Sequence, residues 1–540
     1  MNMDFPYDYF ALRGMDISVW HDSFHWAVPR QDTTAIVLDL KAEHCRKIAE
    51  LGETFESDCL LVGHHLSSIY AKVLNHWLSV HRLENDGFRV KCSEKLSIVP
   101  QLLKDHKEAP HFQHEDIWKW CQGFGRCSGP RYFLRSLKYN FSRGCVSAWN
   151  HRSLSNSVYA FPSENVTERP WTLGQKDWVH LTSPGEWIGP KPATSVEKSG
   201  NHQIFEKLAD EFRDFADSYM KHKFGVSVPE QVLGALREHV SSYLKHIAVF
   251  YETLSRNIKG HAPKRLFTMT AGKSFVRAMS LAVRQNGGTI TGFPHNYFIS
   301  HYASPRTAFH ELAAVDEFVA YTPGSVPLME RNIAANPPPR KQPVNFVCEN
   351  NPTFKRRWEK EKNKPLPSKI RTVMVLELSL GMEMAPYYVP DSLVTYHFYY
   401  SLCKSLGKLG YRVLFKRRPK DLSWEGINIF SDMPHVRVVD GAFESSQAFE
   451  EADAVFVQYA MSSTLFWSMT SNKPVIYVDA GWEPWYPEVY ESMAKRCRVL
   501  HCWYDERNRQ CFDESELQRV LEKTPGRPDT EFMEKYLFSK

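Results

Sequence analysis

Positively charged and hydroxyl side chains follow two strand-like segments in the last third of the chain. The cations are Lys416, Arg417 and Arg418, and the hydroxyls are Ser462, Ser463 and Thr464. In an open parallel sheet, side chains at the carboxyl ends of the strands meet at one edge, where ligands bind. Adjacent cations repel one another unless an anion lies between them, and hydroxyls at a helix start can bind phosphate or only cap the helix. The pattern favours a phosphate-bearing ligand, with a solvated surface and an ordinary cap as alternatives.

Two further strand ends in this region carry side chains suited to a sugar or a base. Glu383 lies in the segment after one strand, and Trp482 and Glu483 follow another. An indole ring can stack on a base or a sugar, but core packing explains a tryptophan equally well. The segment 271–274 could likewise bind an anion through Lys273 or only begin a helix, because phenylalanine stands at 267 where a P-loop needs glycine.

Apolar runs of strand length alternate with helix-length segments from about residue 369 to residue 505. We predict strands at 373–376, 411–415, 436–439, 453–457 and 475–478, and helices at 392–409 and 463–470. Such alternation is typical of a parallel α/β sheet with helices on both faces. The sequence therefore predicts a doubly wound domain over 369–505, followed by a C-terminal tail helix within 506–540.

A second, less regular set of α/β units occupies residues 1–334. We predict strands at 59–62, 88–91, 265–270 and 289–292, with helices at 67–82 and 274–285. Between the two groups lies a predicted insertion over about 93–260, which ends in two long amphipathic helices at 202–223 and 229–257. Proline-rich and charged residues indicate a linker at about 335–368, where the charged run 355–362 is expected to face solvent.

Composition and charge narrow the class of protein. The 540 residues are 43% hydrophobic and 24% charged, and 67 basic against 62 acidic residues leave a net charge of +5. This composition is typical of a globular protein, and the balanced charge argues against a nucleic-acid partner. The apolar runs are too short to span a membrane, and the first residues do not resemble a secretory signal. Eleven scattered cysteines lack a Cys-x-x-Cys pair, so we expect reduced thiols, no metal site and a cytoplasmic location.

The order of motifs in the last third resembles the nucleotide-binding domain of GT-B glycosyltransferases that build bacterial capsule and lipopolysaccharide. The shared features are a strand before Lys416-x-x-Pro419, a later strand before Ser462-Ser463-Thr464 and a helix, and Lys473-Pro474-Val475 before the next strand. The chain is similar in particular to enzymes that use CMP-activated 2-keto sugars, such as Kdo or nonulosonic acids, and to CDP-glycerol-type transferases. In that family the first motif reads Lys-x-His-Pro. Arg418 stands at the histidine position, and an arginine can neutralise phosphate but cannot donate a proton.

The resemblance implies an α/β fold of the GT-B type, in which two Rossmann-like domains face a cleft and the first domain carries the helical and irregular insertion. A nucleotide-sugar donor would bind the second domain through the cations at 416–418 and the hydroxyls at 462–464. A glycan or glycolipid acceptor would bind the first domain. Candidate contacts to the acceptor or to the donor sugar are His64, His65, Lys273, Trp482 and Glu483. The sequence contains no Asp-x-Asp motif, so we expect a metal-independent reaction with no further cofactor.

An attacking acceptor hydroxyl needs a general base, or a carboxylate nucleophile if the linkage is retained. The candidates are His295, Glu311 and Glu383, each of which has a plain alternative as a hydrogen-bonded surface or core residue. An enzyme acting on a lipid-linked glycan would have to contact the inner membrane from the cytoplasmic side, through basic or aromatic patches. Two other functions are consistent with the sequence: polyol-phosphate transfer from a CDP-alcohol, and non-catalytic nucleotide or sugar binding in the same pathway.

Overall fold

The structure is a computed structural model. It describes residues 3–7, 9–52, 62, 65–92, 158–160, 179–181, 202–260, 262–269, 274–294, 300–304, 307–340, 342–348, 352–378, 392–417, 428–440, 447–460 and 462–538. The candidate site residues His64, Lys273, His295, Glu383 and Arg418 lie outside these ranges.

In the described ranges before residue 93, the chain forms a small parallel sheet and three α-helices of seven residues or more. Strand β1 (Met3–Pro6) pairs with β2 (Phe88–Lys91), and the helices are α1 (Ile17–Ser23), α2 (Arg30–Gly52) and α3 (His65–Asn85). Of the strand predicted at 59–62, only Val62 lies in the described residues, and it is helical. Phe5 of β1 packs edge-on against Phe88 of β2, with ring centroids 5.6 Å apart.

A parallel sheet, here called the first sheet, occupies the middle of the chain and has six strands in the described ranges. They are β3 (Val158–Ala160), β4 (Val179–Leu181), β5 (Arg265–Met269), β6 (Thr289–Phe293), β7 (Glu317–Ala320) and β8 (Asn345–Cys348). Their spatial order is β4-β3-β5-β6-β7-β8, which is a common doubly wound order. Strands β3 and β4 lie inside the predicted insertion and β8 inside the predicted linker, so both segments contribute to the sheet. Strands of three or four residues are too short to give a periodic signal.

Helices from the middle of the chain pack on one another and in part on the first sheet. They are α4 (His202–Phe224), α5 (Glu230–Asn257), α6 (Ser274–Gln285) and α7 (Val326–Ala335). The second half of α5 packs Phe250 and Leu254 into one core with Leu266 of β5 and Ile290 of β6. The two long helices of the predicted insertion are therefore confirmed, and the second of them belongs to the core of the first sheet.

The charged run between the two halves forms helix α8 (Thr353–Glu361). The charged side chains Lys355, Arg356, Lys360 and Lys362 are exposed, as expected, and the opposite face of the helix buries Phe354 and Trp358. The guanidinium of Arg357 lies 4.8 Å from the centre of the Trp467 ring, and its Nε donates to the carbonyl oxygen of Trp467. The helix is thus amphipathic and packs on the second half of the chain.

The last third forms a larger sheet, here called the second sheet, with seven strands among the described residues. They are β9 (Thr372–Leu376), β10 (Arg412–Lys416), β11 (Val436–Val439), β12 (Ala454–Val457), β13 (Val475–Asp479), β14 (Arg498–Tyr504) and β15 (Gln510–Phe512). The order is β11-β10-β9-β12-β13-β14-β15, and only β15 is antiparallel to its neighbour. Counted from β9 this is 3-2-1-4-5-6 plus one edge strand, the Rossmann order. The predicted α/β class with two Rossmann-like sheets is confirmed.

The helices of this half flank the second sheet and continue to the end of the described chain. They are α9 (Ser392–Lys408), α10 (Gln447–Glu451), α11 (Ser463–Met469), α12 (Pro487–Arg496), α13 (Glu514–Glu522) and α14 (Glu531–Tyr536). The second sheet continues beyond residue 505, because β15 pairs with β14. In the described part of the chain, no helix is both long and apolar enough to cross a membrane.

Helix α14 brings the end of the chain back to the first half. The hydroxyl of Thr322 donates to the carbonyl oxygen of Lys535 at 2.9 Å. Gly324 lies so close to this helix that a Cβ atom there would be 2.5 Å from the same oxygen. Glycine at 324 is therefore required for the close approach of α14.

We predict that Gly324→Ala destabilises the protein by about 1–3 kcal/mol, because the added methyl group forces α14 away from the first half. The measurement is the free energy of unfolding in urea. Gly526→Ala is the matched control, because a Cβ atom at 526 would meet nothing within 4 Å. Equal unfolding midpoints for the two variants would contradict this account of the contact.

Candidate functional site

The order of strands in the second sheet reverses at β9. From β9 the chain adds β10 and β11 on one side and then returns to add β12 on the other. Ligands of doubly wound sheets bind in the crevice outside the carboxyl ends of the strands at such a switch point. In the register of the sheet, Leu376 of β9 is paired with Lys416 of β10 on one side and with Val457 of β12 on the other. At the usual spacing of neighbouring strands, the backbone of Lys416 is about 10 Å from that of Val457.

Lys416 is the predicted cation that lies nearest this crevice in the described chain. It ends β10 after the buried run Val413 to Phe415 and is only 4% exposed. Its Nζ atom donates to the carbonyl oxygen of Arg417 at 2.6 Å. The strand therefore holds a lysine charge at the carboxyl edge of the sheet rather than in open solvent.

Arg417 forms an ion pair with a carboxylate at the end of the neighbouring strand. Its Nε atom donates to Asp440 at 2.7 Å, and Asp440 directly follows β11. Part of the repulsion expected within the cation run 416–418 is thus offset by the protein itself. The pairing weakens the argument that an anionic ligand is needed to balance the run.

The hydroxyls at 462–464 adopt the helix-cap arrangement. Ser462 has an extended backbone, and its Oγ atom accepts from the N–H of Thr464 at 3.3 Å. The hydroxyls of Ser462 and Thr464 are 2.6 Å apart, and Ser463 is the first residue of α11. These bonds account for the hydroxyls of Ser462 and Thr464 without a ligand. Their position is nevertheless at the carboxyl end of β12, beside the switch point.

Trp482 and Glu483 are both buried in the second half. The indole N–H of Trp482 donates to the hydroxyl of Tyr504 at 2.7 Å. The carboxylate of Glu483 accepts from the N–H of Ala460 at 3.2 Å and from the hydroxyl of Tyr477 at 2.9 Å. The polar atoms of both residues are satisfied inside the protein, and a sugar contact by either residue stays a prediction.

Burial changes the acidity of Glu483. The side chain is 8% exposed, and loss of solvation raises the pKa of its carboxyl to about 7, although the hydrogen bonds from Tyr477 and Ala460 act in the opposite direction. Nearby Asp479 adds to the increase in the pKa. Glu483 therefore changes its charge near neutral pH.

The segment after β13 also joins the second half to the first. The N–H of Ala303 donates to the carbonyl oxygen of Pro484 at 2.8 Å, and the N–H of Tyr486 donates to that of His301 at 3.1 Å. The rings of Tyr302 and Trp485 meet edge to face with centroids 4.7 Å apart. We call this contact of residues 300–304 with residues 484–486 the junction.

His301 lies at the centre of the junction. It is fully buried, and within the described residues neither ring nitrogen has a hydrogen-bond partner. The surrounding rings are those of Phe466, Trp485, Phe532 and Tyr536. Burial lowers the pKa of His301 to about 3, so this histidine is a neutral core residue at physiological pH.

Two further predicted site residues of the first half, Glu311 and His65, belong to described elements. Glu311 lies in a π-helical turn (Thr307–Leu312) and is 1% exposed. It is near enough to the buried Arg277 to raise the pKa of that guanidinium, against the lowering caused by burial. A catalytic role for Glu311 stays a prediction. His65 begins α3, and its side chain lies outside the described part.

Sequence reasoning missed two polar residues at the switch point. Glu377 directly follows β9, and its backbone N–H donates to the carbonyl oxygen of Lys416 at 3.0 Å. Gln458 directly follows β12, is buried, and donates to the side chain of Gln510 at 3.0 Å. Both residues directly follow predicted strands, and this position could have identified them as candidates in the sequence. No group of three or more His, Cys, Asp and Glu side chains in the described ranges is arranged to hold a metal ion.

Comparisons with known proteins give little further information. Neither a protein-family model nor a curated protein matches the chain. Among solved structures, the chain is similar to the glycosyltransferase SnogD from Streptomyces nogalater, with 12% identity and a TM-score of 0.27 over 61% of this chain and 82% of that one. At that TM-score, the similarity adds nothing to the fold that the strand order establishes.

We predict that Glu483→Gln removes a pH-dependent loss of stability. The ordinary pKa of a glutamate carboxyl is 4.5, and that of Glu483 in the folded protein is about 7. At a pH between these two values, the folded protein keeps a proton on Glu483 that the unfolded chain releases. Wild-type stability therefore falls as pH rises through this window, by up to about 3 kcal/mol from this group alone. Glutamine stays neutral, so the variant should gain stability relative to wild type between pH 5 and pH 8.

The measurement is the free energy of unfolding in urea of both proteins at pH 5 and pH 8. The difference between variant and wild type is compared at the two pH values, because the contributions of other titrating groups then cancel. Glu361→Gln is the matched control, because Glu361 is also a buried glutamate, at 7% exposed. A difference between Glu483→Gln and wild type that does not change with pH would show that Glu483 ionises normally.

Proposed function

We propose that the chain is a glycosyltransferase that binds a nucleotide-sugar donor at the switch point of the second sheet. The observation that carries the proposal is the 3-2-1-4-5-6 strand order, with the buried Lys416 and the hydroxyls of Ser462 and Thr464 at its carboxyl edge. Doubly wound sheets of this order bind nucleotides at that edge. The presence of a second doubly wound sheet in the same chain supports a two-domain transferase.

In this proposal the cations act on the leaving phosphate. Lys416, with Arg417 and Arg418, would stabilise the charge that develops on the phosphate as the bond to the sugar breaks. The acceptor would bind the first half, and approach of the two halves would exclude water from the reaction. His295 and Glu383 stay the candidates for the general base or the nucleophile.

The donor and the acceptor are proposed from the motif resemblance. A CMP-activated 2-keto sugar is the donor class that the motifs favour, and a surface glycan or a lipid-linked glycan is the acceptor class. A lipid-linked acceptor would require a peripheral contact with the cytoplasmic face of the inner membrane. The resemblance equally supports transfer of a polyol phosphate from a CDP-alcohol, which the mass of the product distinguishes, because the phosphate then travels with the transferred group.

We predict that Lys416→Met weakens nucleotide binding about tenfold to a hundredfold, the value of one charged hydrogen bond to phosphate. The measurement is isothermal titration with CMP, CDP, UDP and GDP. Lys473→Met is the matched control: Nζ of Lys473 also donates to a backbone oxygen at 2.6 Å, that of Ala452, but at the amino edge of the same sheet. The control should bind nucleotide like wild type.

Two results would contradict the proposal. Failure of all four nucleotides to bind would overturn it, and so would equal affinities for the two lysine variants. Binding without turnover on any glycan acceptor would instead favour a non-catalytic nucleotide-binding protein.

A further inference from the structure

We infer that Glu483 is a positioning residue for the donor site: its carboxylate holds the segment between β12 and α11 and thereby places the hydroxyls of Ser462 and Thr464. The inference rests on the proposed function, because it assigns a role within the same site. It is distinct from the direct sugar contact that the sequence predicted for Glu483.

The first step is the hydrogen bond to the segment itself. Ala460 lies beyond the end of β12, is completely buried, and donates its N–H to Glu483 at 3.2 Å. A buried N–H without a partner costs about 1–3 kcal/mol. Ala460 is two residues from Ser462, so Glu483 determines the path by which the chain leaves β12 and enters α11.

The second step is the anchoring of the carboxylate. Its other oxygen accepts from the hydroxyl of Tyr477 at 2.9 Å. Tyr477 is fully buried in β13 and lies level with Val457 of β12. A group held by a central strand is placed more accurately than one held by a loop. Glu483 therefore connects the segment after β12 to the central strand β13 and holds it in a fixed position.

The third step connects this network to the junction. The indole N–H of Trp485 donates to the hydroxyl of Tyr477 at 3.3 Å, and the Trp485 ring packs against Tyr302 of the first half. The hydrogen bonds of Glu483 thus lie between the donor site and the contact of the two halves. A change at Glu483 is expected to affect both.

The protonation state of Glu483 affects both hydrogen bonds, because each carboxylate oxygen accepts from a different donor. The ionised carboxylate accepts from both donors, and bonds to an ionised acceptor are the stronger ones. A protonated carboxyl must direct its own O–H to the Tyr477 oxygen and is the weaker acceptor for Ala460. The titratable and charged groups that face Glu483 are Tyr477, Asp479, Arg30, Tyr302 and Tyr504. Arg30 favours the ionised form, and Asp479 opposes it.

The test compares the affinity of Glu483→Gln and wild type for the nucleotide that binds best. At pH 8, where the wild-type side chain is ionised, we expect the variant to bind about tenfold more weakly, as the loss of one hydrogen bond predicts. At pH 6 the wild-type side chain is protonated, so the two affinities should converge. Between pH 6 and pH 8, the stability of the variant relative to wild type should rise while its relative affinity falls. A purely structural defect would lower stability and affinity together.

Glu361→Gln serves as the control and should match wild type at both pH values. Equal affinities of Glu483→Gln and wild type at pH 8, or an affinity ratio that does not change with pH, would overturn the inference.

Amide hydrogen exchange separates this inference from the proposed function. In the protein without nucleotide at pH 8, a peptide covering 458–464 should exchange faster in Glu483→Gln than in wild type. Unchanged exchange would overturn the inference even if nucleotides bind. Faster exchange together with no nucleotide binding to wild type would support the positioning of the segment and overturn only the glycosyltransferase proposal.

Discussion

The burial of the central strand β9 is the constraint on which the second half depends. All five of its residues are buried, and it pairs in parallel with β10 on one side and β12 on the other. A parallel strand in this position must be apolar on both faces, because helices cover both faces of the sheet. Polar side chains can then reach a ligand only from the strand ends. The reversal of strand order at β9 determines at which end the loops separate into a crevice.

The polar groups at this edge are held mainly by the protein itself. Lys416 bonds to a backbone oxygen, Arg417 to Asp440, Ser462 to Thr464, and Glu483 to Ala460 and Tyr477. Such internal bonds prevent the cost of unpaired buried groups. They also keep side chains in place before a ligand arrives, which lowers the ordering cost of binding. The edge is therefore organised without a ligand.

The second sheet could be predicted from the sequence because its strands are continuous apolar runs. The strand predicted at 436–439 has the observed bounds, and the other four predicted strands agree to within one residue at each end. The first half was harder, because β1 pairs with β2 across more than 80 intervening residues and β3 and β4 have three residues each. Pairings between distant segments leave no local pattern in a sequence.

In the candidate site, too, local features could be predicted from the sequence and tertiary contacts could not. The positions of Lys416 and Ser462 followed from the strands before them, because a strand end is a local feature. The burial of Glu311 and Glu483 did not, because it depends on contacts made after folding, such as the bond from Tyr477. Glu483 is six residues from its partner Tyr477 in the chain. This spacing does not indicate whether the carboxylate faces solvent or the core.

The junction limits how the two halves can move. A movement that separated residues 300–304 from residues 484–486 would break two backbone hydrogen bonds and expose the buried His301 and Tyr302. Because Trp485 bonds to Tyr477 and Tyr477 bonds to Glu483, the residues that maintain this contact also support the segment after β12. The packing of the two halves and the shape of the carboxyl edge therefore depend on one shared set of buried polar contacts.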